Sequence, residues 1–102
     1  MRVAVDAMGG DYAPEEVVKG AVKAVEDGCC EKLLLVGKRG AIEKTLKGDA
    51  GGRIEIVDAP EEVGMDEAPI RALKEKQRSS VVVTVKLLAD GAADVAVSAG
   101  NT

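Results

Sequence analysis

The residues best suited to chemistry sit at the end of the chain, where the apolar run Val95 to Val97 gives way to Ser98, Ala99, Gly100, Asn101 and Thr102. Such a run leading into a glycine turn reads as a buried strand opening onto a binding loop. Two hydroxyls, one amide and the backbone N–H groups that Gly100 leaves accessible would converge there. No acid follows Asp94, so this loop is suited to cradle an anion. The plainer alternative is that Asn101 or Thr102 caps a following helix. The loop "DAMGGDYAP" that begins at Asp6 differs in charge. Asp6, Asp11, Glu15 and Glu16 crowd a helix start that would otherwise attract an anion. For Asp6 and Asp11 the plainer role is to brace the glycine turn through backbone hydrogen bonds.

What is missing narrows the chemistry further. Histidine is absent, which removes Ser-His-Asp and Cys-His nucleophilic catalysis and most transition-metal sites. Cys29 and Cys30 are adjacent, a spacing that gives neither a CxxC redox motif nor a zinc site. They are expected to be reduced, packed thiols just past a helix C-terminus, where the negative end of the dipole opposes a thiolate. There is no GxGxxG, and "VGKRG" at residues 36–40 lacks the rest of a nucleotide phosphate loop.

Positioning these loops requires strands and helices in alternation. "RVAVD" at Arg2 to Asp6 reads as a first strand ending in a glycine-rich exit. Pro14 suits a first helical position, Glu15 and Glu16 suit a helix N-terminus, and Val17, Val18, Ala21, Val22, Ala24 and Val25 recur at helical spacing until Gly28. "KLLLVG" predicts a second strand over Lys32 to Gly37, "RGAIEKTLKGD" a shorter helix through Ile42 and Leu46, and "RIEIVDAP" a third strand over Ile54 to Val57. Asp66 can cap a helix that tolerates Pro69 in its first turn and runs through Ile70 and Leu73. The valines of "SSVVVTVKLLADG" favour a strand, but a serine cap at Ser79 or Ser80 and Gly91 as terminator predict a buried helix. Asp94 to Ser98 is then a fourth strand, expected to be buried on both faces. This alternation implies right-handed crossovers and a parallel sheet covered on both sides. Ligands of such sheets collect at the carboxyl ends of the strands, which is where both candidate loops lie.

Composition bounds the partners. The 102 residues allow one small domain, with 46% hydrophobic but only 1% aromatic residues, so the core is built from Val, Leu, Ile and Ala. A net charge of -4 and the lack of rings on which to stack bases argue against nucleic acid. No stretch approaches a membrane span, and "MRVAVDAMGG" meets acid and glycine too early for a signal peptide, which makes the cytoplasm the expected compartment.

Three segments, "MRVAVDAMGGDYAPEEVVKGA", "VGMDEAPIRALK" and "ADVAVSAGNT", resemble in order and spacing the bacterial phosphate acyltransferase family of phospholipid synthesis. The resemblance spans the whole chain. It implies a three-layer α/β/α fold with a mostly parallel sheet, Rossmann-like and related to the isopropylmalate dehydrogenases and phosphate acetyltransferases. It implies a reaction in which inorganic phosphate attacks the thioester of an acyl-acyl carrier protein, giving acyl phosphate, with no cofactor and no metal. It also implies a homodimer, and peripheral membrane association of the full-length protein is carried as an option. Ser98, Asn101 and Thr102 become the catalytic candidates. Gly9, Gly10, Asp11 and Gly100 become the substrate- or phosphate-binding candidates. Arg71, Lys74, Lys76 and Arg78, a basic set in an acidic chain, could steer an acidic carrier protein, although a solvated helix face balanced by Asp66, Glu67 and Glu75 explains them as simply. Family members are much longer, and in them "SAGNT" runs on into a helix, so the chain is expected to be the N-terminal part of the enzyme, cut at its fourth strand. The rival readings are a dehydrogenase or acetyltransferase relative of the same fold, and a phosphate-binding or assembly module without catalysis.

Overall fold

The computed structural model describes residues 1–8, 14–46, 52–60 and 78–98. Within them lie strands β1 (Arg2–Asp6), β2 (Lys32–Gly37), β3 (Ile54–Asp58) and β4 (Val95–Ser98), and helices α1 (Glu15–Glu26), α2 (Arg39–Thr45) and α3 (Ser80–Ala89). The strands form one parallel sheet in the order β3-β2-β1-β4, as the alternation of elements predicts. The sequence order reverses at β1, so the exits of β1 and β4 are neighbours, the position at which open α/β sheets hold ligands.

Strand register sorts the core into two faces. Val3 and Val5 pair across the ladder with Leu33 and Leu35, and these with Ile54 and Ile56. This face packs against the stripe Val18, Ala21 and Val25 of α1 and against Ile42 of α2. On the opposite face Ala4, Leu34 and Val57 meet Leu87 of α3 and the nearby Ala93. Helices on both sides of a parallel sheet make the chain an α/β fold.

The local signals explain why the helices end where they do. Both α1 and α3 close on a glycine in the left-handed region, Gly28 and Gly91, each at φ 79°. In α1, Gly28 N–H donates to Val25 and Cys29 N–H to Ala24. In α3, Gly91 N–H donates to Leu88 and Ala92 N–H to Leu87. This is the paired Schellman pattern, which only a residue without Cβ adopts at low cost. It also decides the valine-rich segment for helix. Ser79 enters α3 in the extended conformation expected of an N-cap, but its side chain makes no capping bond. Inside α3 the buried Thr84 hydroxyl donates to the Ser80 carbonyl at 2.6 Å, which satisfies a polar group in an apolar layer.

Three expectations need correction. Pro14 lies one position before the helix, as the N-cap of α1, and the helix begins at Glu15. Cys29 is exposed and only Cys30 is packed. Strand β4 is not buried on both faces: Val95 and Val97 are 38% and 49% exposed. Their partners Val3 and Val5 place them on the α1 side, and β4 ends the sheet order, beyond the strands that α1 covers. The expected helix from Asp66 lies outside the described residues.

Candidate functional site

The carboxyl edge of the sheet carries Asp6, Gly37, Asp58 and Ser98 at the four strand ends. Because Asp6 and Ser98 are register partners on adjacent strands, their side chains project from the same face. The Ser98 hydroxyl donates to Asp6 Oδ2 at 3.0 Å, and Met8 N–H donates to Asp6 Oδ1 at 3.0 Å. Asp6 is 3% exposed, and a carboxylate taken that far from water needs such partners. One side chain thus ties the first turn of the loop after β1 to the end of β4. The bracing role expected of Asp6 is present, and it is half of what the residue does. The link to Ser98 joins positions 92 residues apart, and no local signal in the sequence marks it.

Neighbouring contacts fix where the first loop departs. Ala7 N–H continues the ladder to the Val36 carbonyl at 2.8 Å. Met8 then lies over Gly37, so closely that a Cβ at Gly37 would stand 2.7 Å from Met8 Cγ and 2.9 Å from Met8 Sδ. Next to it, Arg39 N–H donates to Asp58 Oδ1 and the Arg39 guanidinium to the Ile56 carbonyl, fastening the start of α2 to the end of β3. Helices run antiparallel to the strands they connect, so the N-terminus of α3 points to this same edge.

Of the sequence-derived candidates, Ser98 stands at this edge, exposed and bound to Asp6. Gly9, Gly10, Asp11, Gly100, Asn101 and Thr102 lie outside the described residues, as do Arg71, Lys74 and Lys76 of the basic set. Arg78 is described and exposed. The cysteines belong to the opposite edge, before β2. Their sulfurs are 3.6 Å apart, and burial, reinforced by the Cys29 thiol, holds Cys30 above the ordinary thiol range. A raised value suppresses the thiolate, so Cys30 is a packing residue. Also at that edge, Asp94 accepts from Arg2 N–H at 2.8 Å while Asp94 N–H donates to the Arg2 carbonyl, which pins the start of β4 to β1. No described helix is long and apolar enough to cross a membrane.

Comparison with known proteins bears on the whole chain. Residues 1–102 match a family model described as "Fatty acid synthesis protein". The chain is 50% identical over 103 residues to a phosphate acyltransferase of Desulforamulus reducens. It is 49% identical over 105 residues to one of Heliobacterium modesticaldum, and 49% over 104 residues to one of Dictyoglomus thermophilum. In each case the match covers 100% of this chain and 31% of the relative, so the chain spans about a third of the length of these proteins.

Proposed function

The chain belongs to the fatty acid synthesis protein family, and we propose that it is the N-terminal part of a phosphate acyltransferase that moves a fatty acyl group from acyl carrier protein to inorganic phosphate. A phosphate oxygen bonds to the acyl carbon, the carbon–sulfur bond breaks, and the proton of hydrogen phosphate ends on the departing thiol. Phosphate near neutral pH is nucleophilic enough to need positioning and desolvation more than a base. That is consistent with a chain that has no histidine.

The observation that carries this reading is the adjacency of β1 and β4 through the Asp6–Ser98 bond. The loops "DAMGGD" and "SAGNT" leave the sheet side by side from it. In the proposed site Ser98, Gly100, Asn101 and Thr102 form the anion cradle. The Asn101 amide and loop N–H groups serve the oxyanion that develops on the thioester. Gly9, Gly10 and Asp11 border the same space, and residues beyond 102 complete it. The basic set around Lys74 and Lys76 is the proposed approach for the acidic carrier, and the working protein is proposed to be a homodimer in the cytoplasm.

The test is release of free thiol from long-chain acyl carrier protein by the full-length protein. Release should require phosphate and yield acyl phosphate in equal amount. Asn101→Ala should slow it roughly a hundredfold or more, the usual effect of losing one oriented oxyanion donor, about 2 to 4 kcal/mol, while circular dichroism stays unchanged. Near-normal phosphate kinetics in that variant would remove Asn101 from the cradle. Thiol release without phosphate would remove the acyltransferase reading.

A further inference from the structure

The two cysteines at the amino edge of the sheet are held in contact. Cys29 N–H donates to the Ala24 carbonyl at 3.0 Å as part of the α1 cap, and Glu31 N–H donates to the Met1 carbonyl at 3.2 Å, so the backbone is pinned on both sides of the pair. Cys29 is exposed. Cys30 is 7% exposed and belongs to the core cluster that includes Val25 and Leu33, and the Cys29 thiol donates to its sulfur across 3.6 Å.

That separation decides which chemistry suits the pair. A disulfide needs the sulfurs at about 2.0 Å and the Cα atoms at least about 4.4 Å apart, whereas adjacent residues joined by a trans peptide have Cα atoms only about 3.8 Å apart. Closing the pair on itself would strain it. Two sulfurs on one soft ion, each about 2.3 Å from it at tetrahedral angles, lie about 3.8 Å apart. The observed 3.6 Å is already close to that bite. Among the described residues no group of three or more His, Cys, Asp or Glu is placed to hold a metal ion, so the ion must be satisfied by two protein sulfurs in a bent arrangement. Cu(I) held by two thiolates alone is straight, which would set the sulfurs about 4.6 Å apart. Trivalent arsenic is thiophilic and pyramidal, and needs only two protein sulfurs when an organic group fills its third position.

We infer that Cys29 and Cys30 form a bidentate dithiol site for trivalent organic arsenicals. The step with phenylarsine oxide balances without a redox change: two arsenic–sulfur bonds form, the bonding of arsenic to oxygen is broken, and both thiol protons leave with that oxygen as one water. Exposed Cys29 reacts first, and Cys30 then closes the chelate in an intramolecular step at high effective concentration. Burial keeps Cys30 protonated in the free protein, and its proton leaves only as the second bond forms. The product is neutral, so no charge is placed on a largely buried sulfur. The pair lies at the edge opposite the candidate loops, and the inference is independent of the acyltransferase reading.

The experiment titrates the full-length protein, reduced with a phosphine and freed of small thiols, with phenylarsine oxide, and reads intact mass and remaining titratable thiols. Each tightly bound arsenical should consume two thiols. It should stay bound in a roughly hundredfold excess of a monothiol and be removed by 2,3-dimercaptopropanol, because only a dithiol matches the chelate. Cys29→Ser changes an exposed position, and it should lose one monothiol-resistant equivalent relative to the unmodified protein, leaving at most binding roughly a hundredfold weaker. Retention of that equivalent in Cys29→Ser overturns the inference, as does an arsenical that consumes a single thiol of the pair. Cys30→Ala should lose the same equivalent. Its retention in a Cys30→Ala protein of unchanged circular dichroism would assign binding to Cys29 alone and overturn the chelate; where Cys30→Ala does not fold, Cys29→Ser decides.

Discussion

The contact of Met8 with Gly37 shows how one missing Cβ shapes the site. Gly37 ends β2 in an ordinary extended strand, so the glycine is needed for room and not for backbone freedom. With alanine there, the new Cβ would meet Met8 Cγ at 2.7 Å and Ile42 Cδ1 at 3.2 Å, and Met8 is the residue from which the first loop departs. Gly37→Ala should therefore cost about 1 to 3 kcal/mol in urea unfolding, the usual range for overpacking. In a Met8→Ala background the same substitution should cost far less. Equal costs in both backgrounds would show that the close approach is not what requires glycine. Nothing in "LLLVGKRG" announces this need, because Met8 and Gly37 meet only once β1 and β2 pair. The Asp6–Ser98 bond was illegible for the same reason: both residues are visible in the sequence as loop polar groups, and only the β1–β4 register makes them partners. Ser98 itself was legible, since a hydroxyl after an apolar strand and before a glycine turn is a local pattern.

At the scale of elements, local chemistry was most readable where it ends a helix. Gly28 and Gly91 both terminate helices by the same geometry, and the second overrides the strand propensity of four valines. Burial of β4 was misread because it depends on what lies beyond the edge of the sheet, which no residue of the strand encodes. The start of β4 is held instead by polar contacts. Asp94 accepts from the Arg2 N–H, and the Arg2 guanidinium adds its charge. Together these hold the Asp94 carboxyl below its ordinary value of 3.8. A carboxyl whose folded value lies below its unfolded one favours the folded state above the unfolded value. That contribution disappears as pH falls through the folded value. In the full-length protein Asp94→Asn should therefore lower the thermal midpoint at neutral pH, with the gap to wild type closing as pH falls from about 5 to about 2. Because the group lies at the surface, added salt should shrink the gap. A gap that persists unchanged at the acid end would assign the effect to the amide's fit and not to charge.

For the whole molecule, the exposed valines decide how these 102 residues should behave alone. Val95 and Val97 are half-exposed on the α1 side of β4, the last strand in the sheet order, and Val85 and Leu88 of α3 are 48% and 42% exposed. Parallel sheets are stable when helices cover both faces, and an uncovered aliphatic patch favours association. The curated relatives extend well beyond the matched third, which is length enough to supply the missing cover. We therefore expect the isolated 102 residues to self-associate and, because the proposed site includes residues beyond 102, to show no phosphate-dependent thiol release. Sedimentation velocity over a range of concentrations should show the fragment growing in mass as concentration rises. Val95→Thr with Val97→Thr should shift it toward monomer, because threonine keeps the branched shape suited to a strand while adding a hydroxyl to the exposed face. The same pair of substitutions in the full-length protein should instead destabilise it, as those positions would then be covered. A fragment that is monomeric, folds cooperatively and transfers acyl groups would place both the domain boundary and the complete site within residues 1–102.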